Sequence, residues 1–311
     1  MKKISFVIAC YNEVGNIEEL VSRLINVMSR EQYEYEIIFA DNASDDGTQD
    51  VLRKLASEDK RIKVILNNRN YGPGRSPRNA FRHVSGDVVI GLAADLQDPP
   101  ELVPEFIREW EKGYKLVYGQ KVASDEGIIK YALRSLYYNI INFFSEVPRY
   151  KHLSGITLHE KGVLDEMLSA DEDISFRYLI AEMGYPVKLI PYRQNKRKSG
   201  KSSYNVNRYF NFAINTLVST STIPLRVATV VGCFMVGICF IVGIVYLVMK
   251  LKYWNRFSTG IAPMLIGIFF LGSVQILFIG LIGEYVGAIL RKLTKQMPVI
   301  EKELINFEDN A

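Results

Sequence analysis

Apolar residues recur along the first two thirds of the chain in short, β-branched runs. Each run ends in a polar or glycine-rich break, the pattern of buried strands. Lys3–Cys10, Tyr35–Ala40, Lys63–Leu66 and Asp87–Leu92 are four such runs. Between them the apolar spacing becomes helical, first over Val14–Arg30 (Ile17, Leu20, Val21, Leu24, Ile25, Met28), then over Thr48–Leu55 and Asn79–Val84. Asn67–Pro77, rich in Asn, Gly, Pro and Arg, reads as a loop. A helix over Leu102–Trp110 and a strand over Lys115–Gly119 follow; His152–Leu158, a helix over Phe176–Met183 and Val187–Ile190 complete this part. Strands alternating with helices imply an α/β fold with a mostly parallel sheet and right-handed crossovers.

The pattern then changes. Val227–Met249 and Ile261–Ile282 carry no charged side chain, and each is long enough to cross a hydrocarbon core of about 30 Å as a helix. Two such segments in succession predict a membrane hairpin. Tyr204–Ile223 has amphipathic spacing and leads into the first segment at Pro224. Ile128–Phe144 has an apolar stripe (Ile129, Leu133, Leu136, Ile140, Phe144) beside Lys130 and Arg134. It suits either a helix packed on the sheet or one lying in a membrane interface. Arg291, Lys292 and Lys295 follow the second segment and place the C-terminus in the cytosol, with Lys250, Lys252 and Arg256 in the hairpin loop counting against. The tail after Lys295 is polar and is expected to be loosely ordered. The expected organisation is therefore a cytosolic domain over 1–204, a juxtamembrane amphipathic helix over 205–226, a transmembrane hairpin over 227–290 and a cytosolic tail over 291–311.

Composition sharpens this picture in two places. Lys188–Arg208 holds Lys188, Arg193, Lys196, Arg197, Lys198, Lys201 and Arg208 with no acid among them, within a chain of net charge only +4. Such a block suits anionic headgroups, a phosphate ligand or both, and no nucleic-acid motif accompanies it. The three cysteines make no disulfide framework. The apolar run Ile4–Cys10 is too short for a signal peptide. Both points fit a reducing compartment.

Four polar clusters fall at strand ends: Asn12-Glu13, Asp41–Asp46, Arg69-Asn70 and Asp95–Gln97. In a parallel sheet these ends share one edge, where α/β proteins bind ligand. The stretch Gly86–Glu101 is central, because the run Val88–Leu92 delivers Asp95, Gln97 and Asp98 to that edge before Pro99-Pro100 stops strand and helix alike. Hard oxygen donors there suit Mg²⁺ or Mn²⁺ carried on a diphosphate. The alternative is a solvated acidic turn with Asp98 as a helix N-cap.

Phe6-Val-Ile-Ala-Cys-Tyr-Asn-Glu13, Asp41-Asn-Ala-Ser-Asp-Asp-Gly-Thr48, Arg69-Asn-Tyr-Gly72 and Ala94-Asp-Leu-Gln-Asp-Pro-Pro-Glu101 together resemble the inverting GT-A glycosyltransferases. Within them the chain is most similar to the polyprenyl-phosphate glycosyltransferases, which include bactoprenol glucosyltransferases and dolichyl-phosphate mannose synthases. The likeness runs essentially end to end and includes Ile282-Gly-Glu-Tyr-Val-Gly287. It implies a GT-A Rossmann-like sheet followed by the juxtamembrane helix and two transmembrane helices. It also implies an enzyme of the inner (cytoplasmic) membrane, catalytic domain on the cytosolic side, that moves a hexose, with glucose the best match, from a UDP-sugar to undecaprenyl phosphate. The product would be a lipid-linked sugar for cell-envelope glycan modification.

Carried over by position, the resemblance implies that Glu13, Asp41, Arg69 and Asp95 bind the donor and that Asp95 and Gln97 hold Mg²⁺ or Mn²⁺. Arg197, with Lys198, Lys201, Ser202 and Tyr204, would meet the acceptor phosphate, and Asp95 and Arg197 would carry the catalysis. A homotetramer is also implied, and Gly232, Gly237, Gly243 and Gly267 would let spans pack closely. The chain departs from the family pattern at two places. Ala93 stands where some members carry Asp, and Ser154-Gly-Ile-Thr-Leu158 stands where Gly-Asp-Phe-Arg-Leu is frequent. Asp171, Glu172 and Asp173 are candidates to supply the missing carboxylate. Two rival functions are a non-catalytic nucleotide- or lipid-binding scaffold and a processive polysaccharide synthase. Gln194-Asn-Lys-Arg197 echoes the synthase acceptor motif without its Trp, and two spans are few for a polymer channel.

Overall fold

The structure, a computed structural model, describes residues 2–123, 150, 153–170, 174, 176–195, 223–253, 261–293 and 297–307. The stripe of Ile128–Phe144, the acidic run Asp171–Asp173 and the amphipathic stretch over 204–222 lie outside them, as do Arg197, Lys198, Lys201, Ser202 and Tyr204. Two compact units divide the chain. One comprises residues 1–134, 147–203 and 297–311, and the other 135–146 and 204–296.

The first unit is built on an eight-stranded sheet. Its strands are β1 (Lys3–Cys10), β2 (Glu34–Asp41), β3 (Ile62–Asn67), β4 (Val88–Ala93), β5 (Leu116–Ala123), β6 (Leu153–Glu160), β7 (Val187–Arg193) and β8 (Glu301–Ile305). The strand order is β7-β5-β6-β4-β1-β2-β3-β8. β1 pairs in parallel with β2 and β4, and β2 with β3. β6 runs antiparallel to both β4 and β5, while β7 is parallel to β5. So β1–β5 and β7 all point one way, and their C-terminal ends share an edge with the N-terminal end of β6.

The central strands are apolar on both faces because helices cover both. Ile4, Phe6 and Ile8 of β1, with Ile37, Phe39, Val64 and Ile90, face α1 (Ile17–Met28), α2 (Thr48–Glu58) and α4 (Val103–Glu111). The alternate residues Val7, Ile38, Ile65 and Val89 form the opposite core with Ala80, Phe81 and Leu164. Those three come from α3 (Gly72–Ala80), the 3₁₀ turn after it and α5 (Lys161–Ser169). α5 and α6 (Phe176–Glu182) also close over β5 and β6 around Met167 and Ile180.

Two elements differ from the sequence-based expectation. The glycine- and proline-rich stretch after β3 is not all loop, since its second half is α3. Gly72 enters that helix at φ +85°, and Pro73 sits in the first turn, where its missing N–H costs nothing. Tertiary bonds then hold the helix. Asn67 Nδ2 donates to Ser76 Oγ at 2.8 Å, and the buried Arg78 guanidinium donates to the carbonyls of Met167, Ala170 and Ile174. The tail is ordered as β8, antiparallel to β3. Arg53 pairs with Glu303 at 2.9 Å, Glu301 meets His83 and Asn79, and Asn306 Nδ2 donates to the carbonyls of Ala56 and Ile62. The last strand thereby covers an edge that β3 would otherwise expose.

The second unit contributes α7 (Ile223–Lys252) and α8 (Ile261–Leu293). Both are long and apolar enough to cross a membrane, by stretches over Leu225–Val245 and Phe270–Leu290. Their large apolar side chains are exposed, Phe234 and Phe240 each at 70% and Ile276 at 72%, the reverse of a water-soluble core helix.

At the far end of the sheet Glu36 is 2% exposed. Its Oε1 accepts from Ser5 Oγ at 2.6 Å and Ser85 N at 2.8 Å, and Lys63 Nζ lies 2.9 Å from Oε2. Burial alone would raise its pKa, but the bonds from Ser5, Lys63 and Ser85 outweigh burial and hold it at about 2. A carboxyl depressed in the folded state adds stability that is complete above its unfolded pKa and is lost as pH falls through the folded value. Glu36 therefore contributes roughly 2–3 kcal/mol at neutral pH, lost between about pH 5 and pH 2. Glu36→Gln is expected to lower stability at neutral pH and to flatten the acid limb of the unfolding curve over that window, measured by thermal unfolding of the detergent-solubilised protein.

Candidate active site

The parallel register sets the site. Cys10 of β1 lies opposite Asp41 of β2, Ala9 opposite Ala93 of β4, and Asp41 opposite Leu66 of β3. The four polar clusters therefore leave the sheet side by side. Three non-glycine residues adopt left-handed backbone immediately beyond those strands: Asn12 (φ +57°), Ala43 (φ +61°) and Leu96 (φ +57°). Such conformations cost a non-glycine residue free energy and concentrate where tertiary bonds impose a loop shape for function. Nothing in the sequence marks Ala43 or Leu96 as bends.

Side-chain bonds lace the loops together. Asn12 Nδ2 donates to Asp45 Oδ1 at 2.8 Å and its Oδ1 accepts from the Asp45 amide, while the Asn12 amide donates to Ser44 Oγ at 2.9 Å. Asn42, 6% exposed, joins the loops after β2 and β3. Its Nδ2 donates to Asn70 Oδ1 and its Oδ1 accepts from the Tyr71 amide, both at 2.8 Å. Arg69 is exposed, with its guanidinium 4.3 Å from the centre of the Tyr71 ring. The tail reaches the same loop, because Ile300 N donates to Tyr71 Oη and Asn68 N to the Ile300 carbonyl.

The two other carboxylates expected at the donor are buried. Asp41 accepts from the Ser44 amide (3.0 Å), the Ser44 hydroxyl and Gln49 Nε2 (2.9 Å). Glu13 accepts from Asn16 Nδ2 at 2.5 Å. Beside them, burial works against ionisation of Asp46, but the Thr48 hydroxyl and amide and the Val14 amide outweigh it and hold its pKa below the usual carboxylate value. Burial pushes the Cys10 thiol well up, and the charges of Asp41, Glu13 and Asp46 push it further. Cys10 is thus a protonated core side chain.

Asp95 and Gln97 are half-buried, and Asp95 Oδ1 accepts from the Gln97 amide at 3.2 Å. Among the described residues no three His, Cys, Asp or Glu side chains are grouped to hold a metal by themselves. One carboxylate and one amide oxygen fit a hard divalent cation that takes its remaining oxygens from phosphate and water. Asp98 is not a helix cap. The following 3₁₀ turn has no side-chain cap, and the carboxylate turns inward, 3% exposed. Its Oδ1 accepts from Tyr192 Oη and from Gln194 Nε2, the latter at 3.2 Å. The Asn195 amide donates to the Gln97 carbonyl at 3.0 Å. Tyr192, Gln194 and the inward turn of Asp98 were not foreseeable from local sequence, since β7 becomes a neighbour of this loop only in the folded sheet.

Comparison with known proteins agrees with this geometry. A model of glycosyl transferase family 2 matches residues 5–169, and a model of the GtrB C-terminal hairpin matches residues 223–289. The chain belongs to glycosyl transferase family 2. This glycosyltransferase is 31% identical to the putative glycosyltransferase CsbB of Bacillus subtilis (strain 168), over 96% of this chain and 91% of that one. It is 29% identical to the SfII prophage-derived bactoprenol glucosyl transferase of Shigella flexneri, over 97% and 98% respectively. Its fold is similar to that of glucosyl-3-phosphoglycerate synthase from Mycobacterium tuberculosis, solved with Mn²⁺, uridine diphosphate and phosphoglyceric acid, with a TM-score of 0.50 at 19% identity over 70% of this chain and 78% of that one. The sheet is thus the GT-A Rossmann-like sheet that the motifs imply.

Asn42→Ala would take from the Tyr71 amide its acceptor in this glycosyltransferase and cut the bond to Asn70, at a cost of roughly 1–3 kcal/mol. Arg69→Ala removes only an exposed stacking contact and is expected to cost under about 1 kcal/mol. Thermal unfolding of the two variants side by side checks the order.

Proposed function

We propose that this glycosyltransferase is membrane-anchored and moves glucose from UDP-glucose to undecaprenyl phosphate with inversion at the anomeric carbon. The observation that carries the reading is the convergence of the β1–β4 loops on one edge, in a chain that also carries a two-helix apolar hairpin. The near end-to-end likeness to a Shigella bactoprenol glucosyl transferase supports both lipid and sugar. The hairpin, over 227–290, would span the membrane. β8 follows the second helix and lies in the same sheet as the strands that precede the first, so two crossings return the chain to the side of the catalytic domain. The basic residues after the hairpin put that side in the cytosol.

In this reading Glu13, Asp41 and Arg69 shape and line the donor pocket. Asp41 acts by fixing Ser44 and Gln49, and Arg69 acts from the exposed rim. Asp95 and Gln97 would hold Mg²⁺ or Mn²⁺. When bound, the cation would offset the charge that builds on the departing diphosphate. Arg197, with Lys198, Lys201, Ser202 and Tyr204, would hold the acceptor phosphate. A phosphate monoester has a second pKa of about 6, so its oxygen is already ionised at neutral pH and needs no base. That oxygen donates an electron pair to the anomeric carbon from the face opposite the diphosphate. The new C–O bond forms as the old one breaks, and UDP leaves with the bonding pair. Gly155 therefore costs the reaction no obligatory proton acceptor.

The test is a transfer assay on membrane fractions, with undecaprenyl phosphate, Mg²⁺ or Mn²⁺ and labelled UDP- and GDP-sugars. Label is expected in extracted lipid from UDP-glucose and not after chelation by EDTA. Nucleotide binding without label in lipid would favour the scaffold, and labelled polymer the processive synthase. Asp95→Ala is expected to lower the transfer rate by about 10²–10³-fold, the usual scale for losing a group that stabilises transition-state charge. Full activity would overturn the metal assignment.

A further inference from the structure

The loop that carries Asp95 and Gln97 leaves β4, yet it bonds to the end of β7. Two strands, β6 and β5, lie between them in the sheet. With strands about 4.8 Å apart, the connection covers roughly 14 Å. It passes over the N-terminal end of β6, where Gly155 stands. A β-carbon on Gly155 would lie 2.6 Å from Asp98 Oδ2 and 4.0 Å from Ala93 Cβ. The first distance is far inside van der Waals contact, so the Asp98 carboxylate can lie where it does because residue 155 has no side chain. Ala93, where some members of the family carry Asp, keeps the same corner open.

On the far side, Asp98 Oδ1 fixes Tyr192, itself 6% exposed, and Gln194. Gln194 Nε2 also lies 3.5 Å from Gln97 Oε1, and the Asn195 amide closes the connection on the Gln97 carbonyl. The sequence that leaves Asn195 is the basic block Lys196–Lys201. The carboxylate thus joins the loop of the residues expected at the diphosphate to the end of β7, which in sequence immediately precedes the residues expected at the acceptor phosphate.

We propose that Asp98 is a positioning residue for transfer, acting through Tyr192 and Gln194 to hold the end of β7 against the donor-side loop, and that Gly155 is the clearance this carboxylate requires. In this chain Asp98 occupies the corner that a side chain at 155 would fill. The proposal rests on the transfer reaction proposed above. It asks of Asp98 neither a proton nor a metal bond, only two accepted hydrogen bonds.

The experiment is a cycle of Asp98→Ala, Gly155→Ala and the double variant, with Asp98→Asn as the conservative change, all in the full-length detergent-solubilised protein. Asp98→Ala is expected to lower kcat by about 100-fold, the scale of a misplacement of about 1 Å between reacting groups. The KM for acceptor should rise while the KM for UDP-glucose stays unchanged. Gly155→Ala should show the same split. Adding it to Asp98→Ala should cost nothing further, because the clash partner is gone. Asp98→Asn keeps an oxygen for Tyr192 and Gln194 and should recover most of the rate with unaltered dependence on Mg²⁺. Losses that add in the double variant, or equal changes in both KM values, would overturn the proposal. So would an Asn variant as slow as Ala with a changed metal requirement, which would make Asp98 a metal ligand. Thermal unfolding of the same set separates this idea from the reaction it rests on. A wild type that transfers no sugar overturns both the reaction and the role in it. Gly155→Ala should still destabilise the wild type and not the Asp98→Ala protein if the crossing is as described.

Discussion

Parallel pairing of β1 with β2 and β4 is the constraint on which the rest of the molecule depends. A parallel sheet buried on both faces offers its polar backbone ends nowhere but the two edges. Because β1–β5 and β7 share a direction, one edge collects nearly all of the outgoing loops. Those loops have to satisfy their own amides while leaving room for ligand. They do so with side chains that bind the neighbouring loop: Asn12 to Asp45, Asn42 to Asn70 and Tyr71, Asp41 to Ser44. The left-handed residues Asn12, Ala43 and Leu96 are the backbone cost of that lacing, and the cores beneath are extensive enough to offset it.

The same edge explains why small residues replace larger ones at one corner. β6 is the antiparallel strand among parallel neighbours, so its beginning, not its end, faces the site. Whatever stands at position 155 lies under the path from β4 to β7. Gly91 tells a related story one layer down, since a β-carbon there would meet Thr157 Oγ1 at 2.8 Å. Ala93, Gly155, Gly91 and Thr157 belong to one packing arrangement. The two departures from the family motifs, separate in sequence, are a single local change in three dimensions.

The tail adds a second constraint. β8 pairs with β3, and Ile300 grips the loop that bears Arg69 through Tyr71 Oη and the Asn68 amide. The segment that emerges from the second apolar helix therefore supports the loop expected at the donor. The strands before the hairpin and the one after it, β1 to β8, thus belong to one sheet. An edge strand supplied from so far along the chain also protects β3 from pairing with other molecules.

Periodicity alone located β1 to its terminal residues and the other central strands to within a residue or two, because a strand buried on both faces carries a near-continuous apolar run that a polar break ends. The helical spacing of α1 and the two uncharged stretches of the hairpin were equally legible, being local consequences of what each face must touch. The motif clusters at the strand ends could be read as one site because parallel order alone forces them together. What each carboxylate does there was decided by tertiary contacts. Asp41 and Glu13 turned inward to hold their loops, and Asp98, which locally looks like a helix cap, became a bridge to β7. α3 and β8 escaped the sequence reading for the same reason. A Gly- and Pro-rich helix and a short polar strand have little propensity of their own, and only Asn67, Arg78 and the open edge of β3, all brought by the fold, give them something to bind.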